Sequence, residues 1–161
     1  MKLSRQDILM HSLEFAFQQE GWNPPLMKAL EGLEEGQADW RPEIGASNTI
    51  REIATHLLFY KEKLLQSLRG LESPEPTSND ATFAEGGEPI WEQAVARLIQ
   101  VHQDIQGCLK ELQDEELDRP MPHFPIGGQV LTLAMHDSYH TGQIVLLRKL
   151  QGSWPSNREF G

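Results

Sequence analysis

A single cysteine, Cys108, is all the chain offers toward a disulfide, so no internal disulfide can staple its fold. That excludes the disulfide-built secreted scaffolds and fits a reducing compartment, the cytoplasm. Positive charge is also scarce: 14 Lys and Arg stand against 24 Asp and Glu, a formal net charge of -10. A protein that grips a phosphate backbone needs a basic face, so nucleic acid is not an expected partner. No run approaches the ~20 apolar residues that a membrane span needs, so no membrane partner is expected either. Near the start, Lys2 and Arg5 are followed by Asp7, His11 and Glu14, which break up any apolar stretch. That segment reads as a helix start and not as a signal peptide. Strand patterning is missing too, because no stretch alternates apolar and polar residues between turn residues. What remains is an all-α chain of 161 residues, one domain spanning 1–161, long enough to bury a core without structural crosslinks.

Four helical stretches fill that domain. Ser4 is an N-cap with Asp7 three residues on, and Ile8, Leu9, Phe15 and Ala16 follow at helical spacing. After Gly21-Trp22-Asn23-Pro24-Pro25 a further helical piece is expected from Leu26 to Leu33. Thr49-Ile50-Arg51-Glu52 has the form of a capping box, opening a second helix through Ile53, Leu57, Tyr60, Leu64 and Leu68 to a stop at Gly70. Trp91, Ala94, Leu98, Val101, Ile105, Cys108 and Leu112 alternate steps of three and four, the seam of a third helix. The fourth is expected to start after Gly127-Gly128 and end near Gly152, with Arg148 and Lys149 at its C-terminal dipole. The connection from Glu72 to Glu88 is rich in Pro, Ser, Asn and Gly and shows no helical pattern. It is long enough to reach back along a helix of ~30 Å, so the second and third helices are expected to run parallel in an up-down-down-up bundle.

The chemistry is concentrated in the fourth helix, in His136-Asp137-Ser138-Tyr139-His140-Thr141-Gly142-Gln143. Two histidines four residues apart leave one helix face together and can fill adjacent positions around a metal ion. Both fall on the stripe of Leu133, Ile144 and Leu147, where aliphatic side chains would be usual, so the imidazoles need a polar partner. A useful site takes at least one more ligand, from His11, His56, His102 or His123. His56 lies at the edge of the stripe centred on Leu57, Leu64 and Leu68, and its phase leaves it open between a bundle-facing ligand and a flanking residue.

The run from His136 to Ile144 resembles the fourth-helix signature of the DinB family, the DinB/YfiT-like metalloproteins, in which an H-x3-H pair precedes Gly-Gln. Gly21-Trp22, Trp40-Arg41-Pro42, the Thr49 helix start and the Trp91 helix start extend the likeness over nearly the whole chain. The resemblance implies a four-helix bundle, often dimeric, with a divalent metal held by three histidines. The family's second-helix histidine matches His56, so the implied ligands are His56, His136 and His140. It also implies a reaction class: transfer of a low-molecular-weight thiol onto a small-molecule electrophile, or metal-dependent hydrolysis. A non-catalytic metal- or ligand-binding bundle is the alternative from another class. Three neutral imidazoles leave positions open on zinc, nickel or iron, where a thiol can be held as thiolate or a water made acidic.

The neighbouring residues have plainer readings beside functional ones. Gln143, one turn past His140, can hydrogen-bond a ligand or a neighbouring helix. Asp137 and Tyr139 can orient an imidazole or move a proton, against a solvated Asp and an interface Tyr. Glu52 and Tyr60 lie one turn either side of His56, and capping already accounts for Glu52. Trp22 and Trp91 can line a pocket mouth or simply anchor packing. His11, His102 and His123 are not expected as ligands, and Cys108 is read as a small core residue. Leu131, Met135 and Leu146 point away from the histidine face, which makes a homodimer the expected assembly.

Overall fold

A computed structural model of the chain describes residues 2–43, 45–73, 75–84 and 87–157. The described residues form α-helices and short 3-10 turns, with no strand among them. The helices are α1 (Arg5–Phe17), α2 (Leu26–Leu30), α3 (Glu35–Ala38), α4 (Ile50–Leu68), α5 (Trp91–Glu111) and α6 (Ile126–Leu150). Two of the starts come from local chemistry that the sequence announces. Ser4 Oγ accepts the Asp7 N–H at 3.1 Å while the Asp7 carboxylate accepts the Ser4 N–H at 2.9 Å. Thr49 and Glu52 repeat the exchange at 3.1 and 2.7 Å. Each box satisfies backbone donors that a helix start otherwise leaves without partners. Gly70 ends α4 with φ +71°, a left-handed conformation that glycine adopts without a Cβ clash.

The long helices pack through their apolar faces, α4 against α5 and α6, and α1 against α6 and α5. Leu13, Phe17, Leu57, Leu98, Ile105 and Ile144 lie at the centre, fully buried. Trp91 anchors the start of α5, with its indole N–H donating to the Leu33 carbonyl at 3.1 Å. Arg51 binds that corner together, reaching Asp39 at 2.5 Å and Glu35 at 2.9 Å and lying over the Trp91 ring. Between α4 and α5, the ion pairs Glu62–Arg97 and Arg69–Asp104 span the same 35 positions of sequence.

Several expectations need correction. On α1 the buried face is Leu9, Leu13, Ala16 and Phe17, and Ile8 and Phe15 are exposed. The piece after the prolines breaks at Leu30 and resumes as α3. The α5 seam drifts at its end, because 3.6 residues per turn does not match a strict heptad: Leu109 is buried, and Cys108 and Leu112 are half-buried. Gly127 and Gly128 lie inside the first turn of α6, not before it. A Cβ at Gly128 would stand 3.1 Å from the Phe124 Cβ, so these glycines serve close approach and not helix initiation. Arg148 and Lys149 do lie in the last turn of α6, as expected, and Arg148 is in addition buried, donating to the Ala29 and Glu31 carbonyls at 2.8 and 2.9 Å. Pro74, Glu85 and Gly86 of the connection from Glu72 to Glu88 lie outside the described residues, and its described part holds a 3-10 turn at Asp80–Phe83 where no helical pattern was expected.

Candidate metal centre

α4 and α6 together bring three histidines to one point. His56 leaves α4, while His136 and His140 leave α6 one turn apart. The Nε2 of His136 stands 2.9 Å from that of His56 and 3.1 Å from that of His140. One nitrogen from each ring therefore faces a shared centre, and the three lie within 4.8 Å of one another. His56 is buried, which resolves its ambiguous helical phase toward the interior of the bundle. His11 and His123 are exposed, and neither joins the group.

The outer ring nitrogens settle the tautomers. The Thr82 hydroxyl donates to the Asn79 carbonyl at 2.5 Å, so toward His56 it presents lone pairs. His56 Nδ1–H donates to it at 2.6 Å, which leaves the proton off Nε2. His140 Nδ1–H donates to Gln143 Oε1 at 2.6 Å with the same result. Gln143 is itself oriented by donating from Nε2 to the Tyr139 hydroxyl at 3.2 Å. Two bare Nε2 lone pairs thus converge with the Nε2 of His136, which carries one proton at most and cannot donate to both at full strength. A divalent cation satisfies all three at once. Nitrogens about 2.1 Å from a tetrahedral ion stand roughly 3.4 Å apart, close to the 2.9 and 3.1 Å of the two pairs that meet at His136. The donor set fits a divalent metal.

Electrostatics point the same way. Burial pushes the imidazole of His56 down to about 3 and that of His136 to about 4, each helped by its neighbours in the group. Burial also lowers His140, partly offset by the Gln143 hydrogen bond and the charge of Asp137. All three rings are neutral at pH 7, the state a metal ligand needs. The walls are aromatic. Phe83 stacks on His56 at 3.9 Å between ring centroids, and Tyr60 meets His56 at 5.0 Å and His136 at 5.1 Å edge to face.

The other site candidates divide. Gln143 and Tyr60 are at the centre, and Trp22, 99% exposed, is not part of it. Asp137 is not a solvated residue: it is fully buried, and its carboxylate accepts from Lys61 Nζ at 2.5 Å. Burial pushes its carboxyl up, an effect Lys61 only partly offsets. Lys61, Thr82 and Phe83 belong to the surroundings of the centre and were not anticipated. A signal existed for the pair. Lys61 continues the Leu57–Leu64–Leu68 stripe, and Asp137 falls on the steps Val130, Leu133, His140, Ile144 and Leu147. Thr82 and Phe83 come from an aperiodic connection and left no comparable mark.

Fold and centre define an all-helical protein that carries a three-histidine site able to hold a metal ion. The chain belongs to the DinB superfamily, whose sequence pattern matches residues 25–144 and so takes in His56, His136 and His140. No curated protein and no solved structure matches the chain.

Proposed function

We propose that this chain is a cytoplasmic, divalent-metal-dependent transferase that moves a low-molecular-weight thiol onto a small-molecule electrophile. The observation that carries the reading is the convergence of three neutral Nε2 atoms, two with their outer nitrogens committed to oxygen acceptors. His56, His136 and His140 would hold zinc, nickel or iron. The ion would supply Lewis acidity, with no ligand charge to weaken it, toward a thiol or a water. The chain's own residues hold the imidazoles in place through Thr82 and Gln143. Phe83, Tyr60 and Tyr139 pack their rings against the histidines.

The proposed architecture is a four-helix bundle of up-down-down-up order. The equal sequence offset of the two α4–α5 ion pairs supports a parallel pair. Between α4 and α6 the numbering runs oppositely, His56 meeting His140 and Lys61 meeting Asp137, which supports an antiparallel pair. A homodimer is proposed through α6. Leu131, Met135, Tyr139, Leu146 and Leu150 are exposed along one stripe, and at Gly142 among them a Cβ would meet nothing within 4 Å. Neither nucleic acid nor membrane is proposed as a partner, and no helix among the described residues is long and apolar enough to cross a membrane.

Product analysis tests the reaction. Metal-loaded protein incubated with a panel of low-molecular-weight thiols and electrophiles is expected to yield the thioether adduct. Cleavage of substrate that proceeds without thiol would replace transfer by hydrolysis. Turnover unchanged in folded His140→Ala protein would remove the centre from the reaction.

A further inference from the structure

One wall of the histidine centre, carrying Tyr60 and His136, is also the wall of a cavity of about 870 Å³. α4 and α6 form its sides, and residues 71–73, 75, 76, 79 and 121–124 contribute to its mouth. Its size falls within the range of ligand pockets. Leu64, Leu71, Met121, Phe124 and Leu133 supply the aliphatic and phenyl part of the lining, beside uncharged polar Ser67, Ser73, Asn79, Gln129 and Thr132. Leu71 and Phe124 are both more than half exposed, so the lining presents large apolar side chains to solvent. Among the charged groups, Lys63 and Glu75 already pair at 2.6 Å, and Glu72 and His123 are exposed. Charge therefore gives the cavity little to select with; apolar surface gives it much.

We propose that this cavity binds the apolar body of the substrate, an aliphatic or arylalkyl chain whose polar end reaches the histidines past Tyr60 and His136. The substrate class is then a hydrophobic molecule with one metal-seeking or electrophilic terminus, not a polyanion or a sugar. This assignment rests on the reading of the histidines as a metal centre, and its test separates the two.

Straight-chain alkyl hydroxamates from acetyl to decanoyl, titrated calorimetrically into zinc-loaded protein, read chain length against a constant headgroup. Each methylene taken out of water should tighten binding by about fourfold until the cavity is filled. The matching primary alcohols, titrated into metal-free protein, read the cavity with no metal involved. Two variants cross-check the location without touching a histidine: Leu71→Arg, at an exposed apolar position, and Thr132→Trp, which fills volume from an exposed position on α6. Both are expected to flatten the chain-length dependence while metal content stays at the wild-type level. Affinity independent of chain length in both series, or a dependence that neither variant changes, would overturn the proposal. A chain-length dependence in the alcohols, with no zinc bound by the protein, would keep the apolar site and remove the metal centre.

Discussion

The buried pair Lys61–Asp137 makes a sharp demand on the fold. Both side chains have 0% exposure, and Nζ and Oδ2 are 2.5 Å apart. Lys61 Nζ also lies 4.8 Å from the Phe17 ring centroid, and Asp137 Oδ1 is buried with no hydrogen-bond partner. Removing one member leaves the other in an apolar interior with nothing to answer it, a loss of about 3–5 kcal/mol. A domain of this size has roughly 5–15 kcal/mol of stability, so Lys61→Met or Asp137→Leu alone should bring it close to unfolding. At roughly 2–4 °C per kcal/mol, the midpoint should fall by about 6–20 °C. The double variant Lys61→Met/Asp137→Leu replaces the pair by apolar side chains and should recover most of that loss, because neither ion then has to be desolvated. Urea unfolding at pH 7 followed by circular dichroism measures all four proteins. A single variant that costs under about 1 kcal/mol, or a double variant no better than the singles, would refute the argument.

Other perturbations probe the centre and its surroundings. Thr82→Val takes away the acceptor for His56 Nδ1–H, and metal affinity should drop by about 10–100-fold in competition with a chromophoric chelator; unchanged affinity would deny Thr82 its orienting role. His102 is buried, stacked on Phe17 at 3.8 Å, with neither ring nitrogen hydrogen-bonded. Burial, and secondarily the charge of Lys61, push it down to about 3. The unfolded chain then binds the extra proton between its ordinary value near 6.5 and about 3, so stability is full above that window and lost as pH falls through it. At pH 5 the loss from this residue is about 2 kcal/mol, and His102→Leu should reduce the pH 7 to pH 5 change in unfolding free energy by that amount. An identical pH slope in the variant would show that His102 is not responsible. Gly70→Ala, at φ +71°, should cost about 1–2 kcal/mol while leaving metal binding untouched, as read by thermal unfolding and chelator competition.

The legible parts of this protein were those governed by local chemistry. Capping boxes at Ser4 and Thr49 and the glycine stop at Gly70 depend on neighbours within a few residues, and each forms as the sequence suggested. The H-x3-H pair was legible for the same reason, since helix geometry alone places His136 beside His140. Phase did not place His56 on the inner face, and its membership in the centre came first from family resemblance. Residues whose role depends on another part of the chain were harder. Asp137 looked solvated because an acid on a helix usually is, and its partner Lys61 lies 76 positions away. Thr82 and Phe83 reach His56 from a connection with no periodicity to read. Gly127 and Gly128 misled in the opposite sense, their meaning being set by Phe124 and Leu117 and not by helix propensity.

One divalent ion held jointly by His56, His136 and His140 underlies every function proposed for the chain. The most direct test is metal content per chain in protein purified without an affinity tag, for wild type and His140→Ala. About one equivalent is expected in the wild type, lost in a variant that keeps its helical circular dichroism. Wild-type protein that takes up no zinc, nickel or iron on loading, or a variant that retains its equivalent, would contradict it.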